Sequence, residues 1–130
     1  MSIKPELLNL KKMRDHTKLR AFELADELAL LVYQVTKGFP KEEIYGLTSQ
    51  MRRSAVSVPS NIVEGCARKT QSEYVRFLDI AFGSCKESHY QFGLAVRLGY
   101  TGDNDIGYFE QKFTETEKVI AALIRSLRKP

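Results

Sequence analysis

The sequence predicts an all-α domain, an up-down-up-down antiparallel four-helix bundle, and three observations carry that prediction. Four stretches repeat apolar residues at spacings of three and four. Each is bounded by glycine, proline or a capping residue. No β-rich segment occurs, and neither G-x-G-x-x-G nor P-loop spacing is present. The connections left between the stretches are short, which places consecutive helices side by side.

The first helix is expected over 17–37, where Phe22, Ala25, Leu28, Ala29, Leu31, Val32 and Val35 make a wide apolar arc and Glu23, Asp26, Glu27 and Gln34 face water. Gly38 is the residue type found just past a helix end, and Phe39-Pro40 prevents continuation.

The second helix is expected to start within 44–48 and to run to residue 68 with Pro59 in its interior. Leu47, Met51, Ser54/Ala55, Val58, Ile62 and Cys66 form its apolar stripe, and Arg53, Ser57, Ser60/Asn61, Glu64 and Arg68 a polar one. A third row, Arg52, Val56, Pro59, Val63 and Ala67, is mostly apolar as well, so the helix should bury more than half of its circumference. An interior proline costs about 3 kcal/mol and frees the carbonyl four residues earlier, that of Ala55. A kink at Pro59 is therefore expected, with Ser57, Ser60, Asn61 and Glu64 forming a structural polar seam around it.

Thr70-Gln71-Ser72-Glu73 fits a capping box and opens a third helix that can continue to about residue 98. Gly83 and Gly93 lie inside it, marking either a close backbone approach or tolerated substitutions. After the turn Gly99-Tyr100-Thr101-Gly102, Asp103 or Asp105 can cap a fourth helix. Its seam, Ile106, Phe109, Phe113, Thr116, Ile120, Leu123 and Leu127, has the heptad spacing of left-handed helix packing. The excess of apolar faces can be buried within one bundle or against a neighbouring subunit.

A 130-residue chain with 43% hydrophobic content suits one core. Residues 1–16 read as a basic N-terminal leader and 17–130 as the bundle domain. No run approaches the roughly 18 apolar residues of a membrane span, and the N-terminal stretch lacks the apolar block of a signal peptide, so a cytoplasmic protein without membrane contact is expected. Cys66 and Cys85 fall on apolar helix faces without C-x-x-C spacing and read as core residues. The two histidines, His16 and His89, are scattered from them, so neither a metal site nor another cofactor is expected.

Charge is uneven. Residues 1–20 hold six Lys/Arg against two acids, which accounts for the whole net charge of +4. Lys11, Lys12 and Arg14 in this leader suit a polyanion or simply solvate a tail. Between Arg52 and Lys86 six basic residues face three acidic ones. There the pairs Arg52-Arg53 and Arg68-Lys69 are the candidate nucleic-acid contacts, because arginine's planar fork matches phosphate. Glu64 also stands four residues before Arg68, where it can brace the helix. The polar stripe Ser57, Ser60, Asn61, Glu64 has hydroxyls and a carboxylate but no histidine in helical reach, and Asp26-Glu27 and Glu42-Glu43 should meet only solvent. No enzyme and no small-molecule substrate are expected.

The run FPKEEIYGLTSQMRRSAVSVPSNIVEGCARKTQSEYVRF, within a match over about residues 20–128, closely resembles the four-helix-bundle proteins encoded in intervening sequences of bacterial 23S rRNA genes. Gln50, Arg52, Arg53, Ser57, Pro59, Ser60, Asn61, Glu64 and Gly65 carry the most characteristic block. The resemblance implies a left-handed bundle assembling as a ring-like homopentamer. It also implies a relationship to the accessory protein of diversity-generating retroelements, which binds RNA and reverse transcriptase. It supplies no catalytic residue. The expected function is an oligomeric, non-enzymatic protein binding RNA or a reverse-transcriptase-like nucleoprotein; the alternative is a protein-interaction scaffold without nucleic-acid contact.

Overall fold

The computed structural model describes residues 14–129, which form four long helices and, among the described residues, no strand. Helix α1 spans Arg20–Thr36, α2 Leu47–Cys66, α3 Gln71–Arg97 and α4 Asp103–Arg128. Each packs on its successor and α4 closes back on α1, which makes a four-helix bundle. The cross-helix partners run in opposite order. Arg53, Ser57 and Gly65 of α2 meet Glu87, Ser84 and Phe77 of α3. Gln71, His89 and Phe92 of α3 meet Leu127, Glu117 and Phe109 of α4.

Sequence sets each boundary by a local device. A short 3-10 turn, His16–Lys18, precedes α1 and is capped by Asp15, whose carboxylate accepts from the Thr17 amide. After α1 the amides of Gly38 and Phe39 bond back to Val35 and Thr36, and Phe39 is buried against the ring of Tyr100 at 5.4 Å. Helix α2 has no cap at Gly46; instead a second 3-10 turn, Lys41–Glu43, swings Glu43 onto its first turn. There Glu43 accepts from the Leu47 amide at 3.1 Å and the Tyr100 hydroxyl at 2.7 Å. These bonds hold its carboxyl below the usual range and correct the expectation that Glu42-Glu43 meets only solvent. Glu27 likewise pairs with Lys112 at 3.0 Å.

Thr70 caps α3 as expected, accepting from the Glu73 amide at 3.1 Å. For α4 the cap is Gly102, and Asp103 and Asp105 lie in the first turn, where their charge suits the helix dipole. Between α3 and α4, Gly99 adopts φ +77°, which lets the Tyr100 amide reach back to the Ala95 carbonyl and close α3.

The core follows the stripes. Leu28, Val32, Met51, Val58, Ile62, Leu78, Phe92, Phe113 and Ile120 are fully enclosed. Toward its C-terminal end the buried row of α4 passes through Ile124, with Leu123 and Leu127 half-buried beside it. Pro59 is buried within a helix that is continuous from Leu47 to Cys66. Its row is not enclosed by the chain, however, since Val56 and Val63 stand 39% and 36% exposed. Helix α2 therefore leaves an apolar edge uncovered by the described chain, one of the two outcomes that its excess of apolar faces allowed. Among the described residues nothing approaches a Cβ built at Gly83 or Gly93 within 4 Å, so neither marks a close backbone approach there.

Candidate nucleic-acid interface

Gly65 makes the candidate site. A Cβ there would stand 2.9 Å from Phe77 Cβ and 3.2 Å from Tyr74 Cδ1, so only glycine lets the end of α2 meet the start of α3 this closely. Tyr74 and Phe77, three residues apart, share a face of α3 and become platforms for arginine. Arg68 and Arg76 each place a guanidinium 4.8 Å from the Phe77 ring centroid. Arg14 lies 4.3 Å over Tyr74 and donates to the Arg68 carbonyl at 2.9 Å. Such stacking holds a guanidinium in place without neutralising it.

Among the described residues one acid pairs with this cluster: Glu64 accepts from Arg68 at 3.1 Å, the brace that helical spacing allowed. Lys69 stands exposed at the turn, and Arg68 Nε is buried without a hydrogen-bond partner among the described residues. Arg76 also lines an open groove of about 470 Å³ with Gln71, Ser72, Val75, Asp79, Leu127 and Arg128, in which Arg128 is paired with Asp79.

The other sequence-predicted pair is elsewhere. Arg52 lies 16 residues before Arg68 in the chain, roughly 24 Å along a helix axis. Arg52 Nε donates to Thr36 Oγ1 at 2.8 Å while its guanidinium covers the Tyr33 ring at 4.7 Å. Arg53 is bonded to Glu87 at 2.6 Å. The two pairs thus form separate surfaces within one chain, and Arg53 is already balanced. Lys11 and Lys12 lie outside the described residues, whereas Arg14 belongs to the cluster. The leader's last residues, 14–16, are accordingly docked: beyond the Arg14 contacts, His16 meets Phe22 edge-on at 4.7 Å.

Two residues of the expected polar seam, Ser57 and Asn61, bond to each other and across to Ser84. Asn61 donates to the Ser57 carbonyl at 2.8 Å and to Ser57 Oγ at 2.9 Å, and Ser57 Oγ meets Ser84 Oγ at 2.8 Å. The Ser57–Ser84 contact ties α2 to α3, the two Asn61 bonds stay within α2, and none of the three reaches the Ala55 carbonyl. Ser60 is exposed, and Glu64 belongs to Arg68.

Cys66 and Cys85 are buried free thiols, with burial pushing Cys85 up to about 12. Among the described residues no group of three or more His, Cys, Asp or Glu is placed to hold a metal ion, and no helix is long and apolar enough to cross a membrane.

Sequence reading missed the aromatic platforms. The available signal was Tyr74 and Phe77 spaced by three, directly after a turn flanked by Arg68 and Arg76.

The fold and site define an all-α bundle with an arginine-rich pole. The family model described as 23S rRNA-intervening sequence protein matches residues 17–122, and the chain belongs to that family. A crystal structure of a protein of unknown function from the S23 ribosomal protein family of Bacteroides thetaiotaomicron superposes with a TM-score of 0.74 at 22% identity, covering 81% of this chain and 95% of that one. No match is found among curated proteins.

Proposed function

We propose that the protein is a non-enzymatic, oligomeric RNA- or ribonucleoprotein-binding bundle of the cytoplasm, which grips phosphate through the pole formed by Arg14, Arg68, Lys69 and Arg76. The carrying observation is the pair of guanidiniums fixed over one phenyl ring, Arg68 and Arg76 on Phe77. Like charges gathered around a shared platform favour an anion between them, and stacking leaves their N–H forks for phosphate oxygens. The bundle acts as a homo-oligomer, a pentamer by the family's resemblance, which multiplies one weak cationic pole into a composite surface. The exposed row Val56 and Val63 supports subunit packing.

A second reading, a protein-interaction scaffold, is favoured by the groove between α1 and α2, where Tyr33, Ile44 and Val56 expose apolar surface beside Arg52.

Binding to structured RNA and to duplex DNA of equal length, measured at low and physiological salt, separates the two. RNA is expected to bind with a steep salt dependence. Arg68→Gln with Arg76→Gln should flatten the log K against log salt slope by roughly 1.5 to 2, about two phosphate contacts. No binding at low salt would leave the scaffold.

A further inference from the structure

His89 on α3 stands between two carboxylates of α4. Its Nε2 lies 2.6 Å from Glu110 Oε2 and its Nδ1 2.7 Å from Glu117 Oε1. The ring is stacked on Phe113 with centroids 4.8 Å apart and planes 2° from parallel. A neutral imidazole has one N–H and one lone pair, so it can donate to only one of these acids and would set its lone pair against the other. Only the imidazolium donates to both, and a flat cation over a phenyl face is favourable as well.

We propose that His89 is a proton-operated clasp between α3 and α4, closed while the ring carries both protons and released when it loses one. Deprotonation leaves either Glu110 or Glu117 facing a lone pair, which turns one bond across the seam into a repulsion.

Among the described residues the surrounding charges leave Glu110 to His89, while Glu117 is shared with one lysine. On α3 itself, Lys86 reaches Glu117 at 3.7 Å, and the buried Cys85 thiol, held protonated, adds no charge. Toward α2 the nearby acid is Glu87, engaged by Arg53, with Gln91 bonded to Ser54. Toward α1, Lys112 is taken by Glu27, and Glu115 by Arg20. Tyr90 and Arg97 line the open groove that His89 and Glu110 share.

Burial opposes the charge on His89, but the hydrogen bonds and charges of Glu110 and Glu117 outweigh it, so its pKa is raised. A group whose pKa rises on folding stabilises the fold fully below its unfolded value, and that contribution disappears as pH climbs through the folded value.

The test is imidazole nitrogen NMR on the full-length protein together with unfolding of wild type, His89→Gln and Glu110→Gln between about pH 6 and pH 9. His89 should carry both ring protons at neutral pH and titrate above the ordinary imidazole range. The stability advantage of wild type over His89→Gln should be largest at the acid end and shrink toward the alkaline end. Glu110→Gln, at a half-exposed position, should lower the midpoint without unfolding the chain. If His89→Gln fails to fold, the titration and Glu110→Gln still decide. A single neutral tautomer at neutral pH, or a wild-type advantage that is constant across the range, overturns the proposal.

Discussion

Phe113→Ala is expected to lower stability by about 3 to 5 kcal/mol, the cost of emptying a fully enclosed aromatic site. The ring is 0% exposed, stacks on His89, and lies 5.7 Å from Phe92, whose own ring stacks on Phe109 at 5.0 Å. Its removal opens a cavity where α3 and α4 meet, and rigid helix backbones close such a cavity only in part. A domain of this size has about 5 to 15 kcal/mol in total, so at least about a fifth of it is at stake. In denaturant unfolding the midpoint should fall while the slope holds. A loss below about 1 kcal/mol would show that the site collapses freely and that the aromatic column has little part in the core.

Gly65→Val is expected to cost about 2 to 3 kcal/mol by overpacking. The new Cβ would meet Phe77 at its Cβ, which cannot swing aside without moving the α3 backbone. Helix propensity gives little relief, because Gly65 is in the last turn of α2 and valine is a modest helix former. The damage should also reach the pole, since the Tyr74 and Phe77 platforms under Arg14, Arg68 and Arg76 are the groups displaced. Gly83→Ala is the matched control. Its Cβ meets nothing within 4 Å, and alanine in place of an interior glycine should stabilise α3 by about 0.5 to 1 kcal/mol. Thermal unfolding of both variants beside wild type checks the pair; destabilisation by Gly83→Ala, or none by Gly65→Val, would invert the assignment of which glycine is structural.

These two glycines also show what could be read from residue order. Helix existence was legible because the apolar stripes, the stop at Gly38-Phe39-Pro40 and the cap at Thr70 act within a few residues. How far the apolar edge of α2 is covered was not, because whether Val56 and Val63 are enclosed depends on what packs beside the helix. Glu43 was misread for a related reason: its role depends on a 3-10 turn that aims it at Leu47 and on Tyr100, 57 residues away. Arg68 and Arg76 were visible as charges. That they share Phe77, while Arg52 and Arg53 are occupied by Thr36 and Glu87, is a fact of tertiary geometry. The role of His89 was not legible because both of its partners lie on another helix, 21 and 28 positions further on.

The Arg14 side chain rests on the α2–α3 turn at Arg68, and Gln71 at that same turn donates to the Leu127 carbonyl at 2.7 Å. The first described residues and the last turn of α4 therefore flank one corner of the molecule, and the Gly99–Gly102 turn connects α3 to α4 far along the chain from it. A circularly permuted chain, with residues 129 and 14 joined through a short flexible linker and new ends opened at Gly102, should keep all four helix packings. Closing the corner in this way would also tie Arg14 covalently to the end of α4, so the cationic pole would sit on a continuous segment.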